Sequence, residues 1–378
     1  MGFNTFELIT LQQYWWIIIS LLGGLFVFIM FVQGGQTLID RLSENEIEKT
    51  MLINSIGRKW ELGFTTLVLF GGALFAAFPL FYATSFGGAY WVWLSILFCF
   101  IIQAVSYEFR TKPNNFLGQK TYETFLKING NIGTFLLGVA ISTFFSGSEF
   151  IVDSNNFVLW QNPLRGFEAL LNPYNYLLGF SLVFLAKISG ALYFINNIDY
   201  EVIRYKAVES IKINMIFFLI FFLGFMGWIL LKDGFSVDVN GLIFMKEYKY
   251  LQNFLDMPIV LTIFLLGVLM VVFSVFLTIK FKKTTCCIKT AGIGIVLTVM
   301  AILLNVGFNN TSYYPSTIDL QSSLTIMNSS GSHYTLMTMS YVSLMIPFVL
   351  AYIVYAWYSM DRVKITKEEI ESTDSHKY

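Results

Sequence analysis

The chain has 378 residues, of which 56% are hydrophobic, 18% aromatic and only 13% charged, where soluble domains run at roughly 25% charged. With a mean hydropathy of +0.65 and 24 basic residues balanced by 24 acidic ones, it is neither a soluble globule nor a basic nucleic-acid binder. Thirty-nine Phe rule out disorder, and two histidines rule out a chain that holds several haems or a His-rich metal cluster by itself.

A bilayer core about 30 Å thick needs roughly 20 mostly apolar residues per helix. That length finds nine predicted spans, at residues 14–32, 62–82, 89–105, 132–145, 176–195, 213–231, 259–279, 290–306 and 336–357. The fourth is short, and its start is expected within residues 124–131. Each span must satisfy its own backbone hydrogen bonds, so the expected fold is an all-α polytopic membrane protein. Residues 1–360 form one transmembrane domain, followed by a short tail over 361–378. Lysines and arginines in the connecting segments divide nineteen against four between the two sides. This asymmetry predicts an external N-terminus and a cytoplasmic C-terminus. The first segment carries Glu7 where a signal peptide would be basic, so no cleavable leader is expected. Trp15, Trp16, Tyr90, Trp91, Trp93, Trp228 and Trp357 fall near span ends, where interfacial anchors sit. Cys99, Cys286 and Cys287 form no CxxC pair, so neither a disulfide framework nor a metal site is expected.

Polar groups at membrane depth are expensive and mark candidate sites. Arg58, Lys59, Trp60 and Glu61 stand at the mouth of the second span, and Tyr107, Glu108, Arg110 and Lys112 at the end of the third. A very short loop joins these spans, so their inner ends should be neighbours, and Glu61 with Glu108 can form one proton-handling site. A helix-dipole role for Glu61 and an ion pair of Glu108 with Arg110 or Lys112 are the plainer alternatives. Lys187 lies in the middle of the fifth span with no acid of this chain at matching depth. A partner carboxylate, a cofactor acid group or a neutral amine would each account for it, and a partner acid is expected on another subunit. Gln33-Gly34-Gly35-Gln36 reads as close helix packing or a helix stop, and Pro79 as a kink after the small residues Gly71 and Gly72. His333 and His376 lie outside every span.

Several blocks resemble one family. MLINSIGRKWE over residues 51–61 and GGALFAAFPLFYA over 71–83 are similar to cytochrome bd ubiquinol oxidase subunit II. In the same order follow Phe86-Gly87-Gly88, YEFRTK over 107–112, LLNPY over 170–174, GALY over 190–193, YPS over 314–316 and SLTI over 323–326. The tail ITKEEIE over 365–371 and the final Tyr378 extend the likeness. The resemblance implies a nine-helix, non-haem subunit of a terminal quinol oxidase in a bacterial inner membrane. The complex would oxidise quinol and reduce dioxygen to water. Haem b and haem d would lie on the partner, subunit I, with small single-helix subunits and a structural quinone or lipid as further components. Glu61, Glu108, Lys112 and Tyr378 then match positions near a cytoplasmic proton entrance, with Trp60 in support. Four features depart from the family pattern: Gln33 and Gln36 replace two acids, Gln103 an arginine, Met327-Asn328 a Trp-Asp, and Leu62–Thr66 a Gly-Asn-Gln-Val-Trp run. Lys187 matches no family position. A secondary transporter is the alternative, weakened by the lack of an internal repeat and of charge at midplane other than Lys187.

Overall fold

The computed structural model describes residues 2–282 and 287–371. Cys286, His376 and Tyr378 lie outside the described residues. Among the described residues eight helices are long and apolar enough to cross a membrane, and a ninth candidate is a bent pair. In chain order the helices are α1 (Leu8–Ile29), α2 (Phe31–Leu42), α3 (Glu46–Gly57), α4 (Trp60–Ala77), α5 (Pro79–Tyr82), α6 (Tyr90–Phe109), α7 (Gln119–Ile128) and α8 (Thr134–Ser146). They continue as α9 (Pro173–Asn197), α10 (Glu201–Leu231), α11 (Lys249–Asp256), α12 (Pro258–Phe281), α13 (Cys287–Gly307), α14 (His333–Ser343), α15 (Ile346–Asp361) and α16 (Lys367–Glu371).

Most candidate spans run past the apolar windows. The first is a 35-residue rod from Leu8 to Leu42, so Gln33–Gln36 does not stop the helix. The fourth extends back to Gln119, because amphipathic α7 buries Tyr122 and Leu126 and joins α8 through a widened turn at Asn129–Gly133. The ninth is α14 plus α15, bent by 42°. Pro347 opens α15 and has no N–H to continue the ladder from α14. Pro79 interrupts the second span in the same way, with Phe78 leaving helical geometry.

Small residues set the helix spacing. A Cβ added to Gly34 would lie 1.8 Å from the carbonyl oxygen of Ala186, and one on Gly190 would lie 2.5 Å from the Gly35 nitrogen. The backbones of α2 and α9 are therefore in direct contact. Gly138 meets Gly179 between α8 and α9, and Gly267 meets Gly294 between α12 and α13, in the same manner. With no hydrophobic drive inside a bilayer, such close packing is a principal source of helix association.

The charge-poor end is closed by two antiparallel hairpins, β1–β2 (Phe150–Val152 with Val158–Trp160) and β3–β4 (Gly234–Val237 with Ile243–Lys246). Tyr313 and Tyr314 are buried beneath them, where Tyr313 pairs with Ser329 at 2.7 Å and Ser148 donates to Tyr314 at 3.2 Å. Trp15 and Trp16 are not interfacial anchors. Both are buried, and their indole N–H groups donate to the Leu336 and Leu303 carbonyls at 3.2 and 2.9 Å. At this end Lys232 donates to the Phe145 carbonyl at 2.5 Å beneath Trp228, Phe235 and Tyr250. Burial lowers its pKa to about 8. Glu168 is buried in a short 3-10 turn over Phe167–Leu171, with one oxygen accepting from the Gly166 amide and the other without a partner among the described residues. Burial raises its carboxyl above the usual range.

Gly34→Ala should push α2 and α9 apart and lower the melting temperature of the purified complex by several degrees. Gly72→Ala, which meets nothing within 4 Å, should leave it unchanged. For Glu168 the sign follows from its raised pKa: its contribution to stability is present below the usual carboxylate range and is lost as pH rises through the folded value. Glu168→Gln should therefore melt higher than wild type at pH 7. That advantage should vanish on acidification, as melting curves between pH 4 and pH 8 will show.

Candidate functional site

The basic end of the bundle concentrates the polar chemistry. On α2, Gln33 and Gln36 are three residues apart and share the face turned towards α6. Gln33 donates to the Gln103 side-chain Oε1 at 3.2 Å, and Gln36 donates to the Tyr107 hydroxyl at 3.2 Å. All four are buried. Tyr107 stacks on Trp60, with ring centroids 5.8 Å apart and planes 12° from parallel. Gly130 lets the Asn129–Gly133 turn rest on the Gln33 backbone carbonyl. A file of neutral amides and hydroxyls thus runs from within the bundle to the Trp60–Tyr107 stack.

Several buried atoms along this file have no protein partner among the described residues. They are Gln33 Oε1, Gln36 Oε1, Gln103 Nε2, both side-chain polar atoms of Asn129, and Thr134 Oγ1. Buried polar groups in this state are the ones that internal waters satisfy. The file is therefore chemically suited to hold water and contains no fixed charge.

The expected neighbourhood of the second and third spans is present, since Trp60 and Tyr107 are in contact. The acids themselves are arranged differently from a buried pair. Glu61 and Glu108 are both exposed on this chain, and neither makes an ion pair among the described residues. Lys112 is exposed in the turn after α6. Arg110 instead forms a buried pair with Glu123 at 2.9 Å, which Lys49 joins at 3.2 Å.

A second polar knot was not apparent in the sequence. Lys59, with no exposed surface, lies 3.1 Å from Asp361 at the end of α15. Asp361 also accepts from Tyr193, Asn197 and Trp357, at 3.0, 3.2 and 2.6 Å. Ser55 orients Asn197 by donating to its side-chain oxygen at 2.7 Å. Just beyond, Ile365 exchanges backbone hydrogen bonds with Asn197 and Asp199, and Arg58 pairs with Glu369 at 2.6 Å. Residues 361–371 are thereby strapped across the basic end. The only early signal was composition: Lys59 stands between Arg58 and Trp60 at a helix start, where an unpaired lysine should not be buried.

His333 lies at the far end with its Nε2 2.8 Å from the Phe6 carbonyl oxygen. No group of three His, Cys, Asp or Glu residues is placed to hold a metal ion among the described residues. A cavity of about 280 Å³, between Ile9 and Gln13 of α1 and Asn309, Asn310 and Met327, contains no histidine or cysteine.

The fold and site define a multi-pass helical membrane subunit with a polar, basic end. Residues 11–360 match the family described as cytochrome bd terminal oxidase subunit II, and the chain belongs to that family. It is 27% identical to the cytochrome bd-I ubiquinol oxidase subunit 2 of Escherichia coli K12, covering 96% of this chain and 97% of that one. It is 26% identical to a probable cytochrome oxidase subunit 2 of Haemophilus influenzae, covering 93% and 94%. The bd oxidase from Geobacillus thermodenitrificans shares the fold, with a TM-score of 0.66 at 12% identity over 92% of this chain and 98% of that chain. The protein is therefore a subunit of a quinol:oxygen oxidoreductase complex in a bacterial cytoplasmic membrane, a complex that contains haem and a subunit I. These likenesses do not favour a transporter.

Removing one member of the Lys59–Asp361 pair should cost about 3–5 kcal/mol, because it leaves the other charge buried and alone. Asp361→Asn and Lys59→Met should each lower the melting temperature sharply. The double substitution should recover most of the loss, and a melting double-mutant cycle measures the coupling.

Proposed function

We propose that this chain is the haem-free half of the oxidase core and admits protons to the dioxygen-reducing site on its partner. In this reading subunit I carries haem b and haem d and takes electrons from quinol. The chain described here buttresses subunit I within the membrane, and small single-helix subunits and a structural quinone or lipid complete the assembly. The nineteen-to-four distribution of Lys and Arg supports a cytoplasmic basic end, nine spans and an external N-terminus. Dioxygen reduction to water consumes protons, and a neutral, hydratable file opening at that end is suited to deliver them.

The observation that carries the proposal is the Trp60–Tyr107 stack. It brings the mouths of α4 and α6 together directly above the buried Gln36–Gln33–Gln103 file. Glu61 and Glu108, each next to one member of the stack, are the proton-collecting groups of this reading. Their exposure is what a group exchanging protons with water requires, and Lys112 with Tyr378 completes the entrance. The Lys59–Asp361 knot holds the same end in shape without itself exchanging protons with bulk water.

The test is turnover in the purified complex. The double substitution Glu61→Gln/Glu108→Gln should slow quinol-driven oxygen consumption about a hundredfold, at the low end of what loss of a proton-transfer group costs. Subunit content and the b- and d-type bands of the difference spectrum should be unchanged. Wild-type turnover in that variant would return both residues to surface charges and overturn the proton reading.

A further inference from the structure

Lys187 stays unexplained by the oxidase reading. A lysine in the middle of a span costs about 3 kcal/mol on insertion scales, so its ammonium needs a counter-charge. Within the described residues it has none. Its amine sits 5.4 Å from the Phe184 ring centre, and the charged group within electrostatic reach is another cation, Arg41. Arg41, in the last turn of α2, also forms no ion pair among the described residues. The acids flanking it are already taken. Asp40 pairs with Lys127, and Glu44 pairs with Lys206 at 2.9 Å. Two uncompensated positive charges therefore share one stretch of surface.

Their depths differ in an informative way. The α2–α9 crossing brings Gly34 against Ala186 and the Lys187 amide. Arg41 lies seven residues further along α2, roughly 10 Å closer to the basic end. Arg41, two turns beyond Gly34 on the same face of α2, stands between Lys187 and the headgroups. Below them the surface is apolar and uncovered by this chain. Phe217 stacks on Phe184 at 5.1 Å, and Ile213, Phe217 and Ile220 follow one another along an exposed face of α10.

We infer that Lys187 and Arg41 form a binding site for the phosphate of an anionic phospholipid in the leaflet at the basic end, with an acyl chain lying along Ile213, Phe217 and Ile220. Charge complementarity favours a lipid over a carboxylate from a partner subunit. One carboxylate would neutralise Lys187 alone, whereas a phosphodiester at headgroup level lies between the two cations and carries its own apolar tail down the exposed face. The site is independent of the proton file, which lies on the other side of α2.

The test uses the purified complex with the wild-type chain, with Lys187→Met and with Arg41→Gln. Each preparation is stripped by detergent washing and then offered micelles of phosphatidylglycerol or phosphatidylcholine, and retained lipid is counted by native mass spectrometry. The wild type should retain phosphatidylglycerol in preference to phosphatidylcholine. Each substitution should lower that occupancy about fivefold, the effect of one basic residue near a membrane surface. Subunit content and haem absorbance should be unchanged, since Lys187→Met removes an expensive charge from a span. Equal phosphatidylglycerol retention in all three preparations would overturn the inference. So would displacement of the lipid by inorganic phosphate, which would mark a free-anion site. Release of a partner subunit from the Lys187→Met complex with lipid content unchanged would instead place a partner's acid on Lys187, and the lipid site would fall.

Discussion

The contact of the α2 backbone with the α9 backbone is the constraint on which the basic end depends. At Gly34 the two helices approach until no side chain fits between them. Once that crossing is set, the rotation of both helices follows from their periodicity. Gln33 and Gln36 are carried to the face that meets α6, and Lys187 is turned aside from the crossing next to Ala186. Tyr193 and Asn197, further along α9, are brought over α3 and α15, where they meet Asp361. One pair of small residues thus separates three chemical environments.

Those environments differ in how they treat charge. The file between α2 and α6 is neutral throughout, and amides at that depth cost far less than carboxylates or guanidinium groups would. Its unpartnered oxygens and nitrogens invite water without fixing a charge that would trap a proton or an ion. At the end of the bundle charges are buried but paired, and each pair joins separate elements: Arg110 of α6's cap with Glu123 of α7, and Lys59 with Asp361 of α15. Pairing of this kind adds little net stability compared with apolar packing, but breaking one member is costly. It therefore selects one arrangement of helices over nearby alternatives. Lys187 belongs to neither scheme, which is why it reads as a point of contact with something outside the chain.

The spans were legible in the sequence because hydropathy over twenty residues is a strong signal. Their ends were not, since α3 and α7 mix charged and apolar residues and continue the helices beyond any apolar window. Trp15 and Trp16 were misplaced for a related reason: proximity to a span end is visible in sequence, but burial against Leu303 and Leu336 depends on tertiary partners. The neighbourhood of Trp60 and Tyr107 was inferable from the short loop between the second and third spans. Which way Glu61 and Glu108 face was not, because helices apolar on nearly every side carry no moment that fixes their rotation. Gln33 and Gln36 were legible as a packing motif through the intervening glycines, while their hydrogen bonds to Gln103 and Tyr107 were invisible without the crossing geometry.

Asp361 shows the limit most clearly, and also why the tail matters. By position it marks the end of the last predicted span and the beginning of a charged tail. In the fold it accepts hydrogen bonds from α9 and α15 and faces the only buried lysine between α3 and α4. Helix α15 buries none of its own residues against this chain. A half-buried stripe of Ile346, Leu350, Ile353 and Trp357 packs it only shallowly along its length. What holds its end is Trp357, which rests against Phe28 and Phe31 while donating to Asp361. The strap continues through buried Ile365 and Ile370 and the Arg58–Glu369 pair. A span packed only shallowly along its length but pinned at its end presents a defined apolar surface to its surroundings, and the pin is built from the polar residues that hydropathy counts against a span.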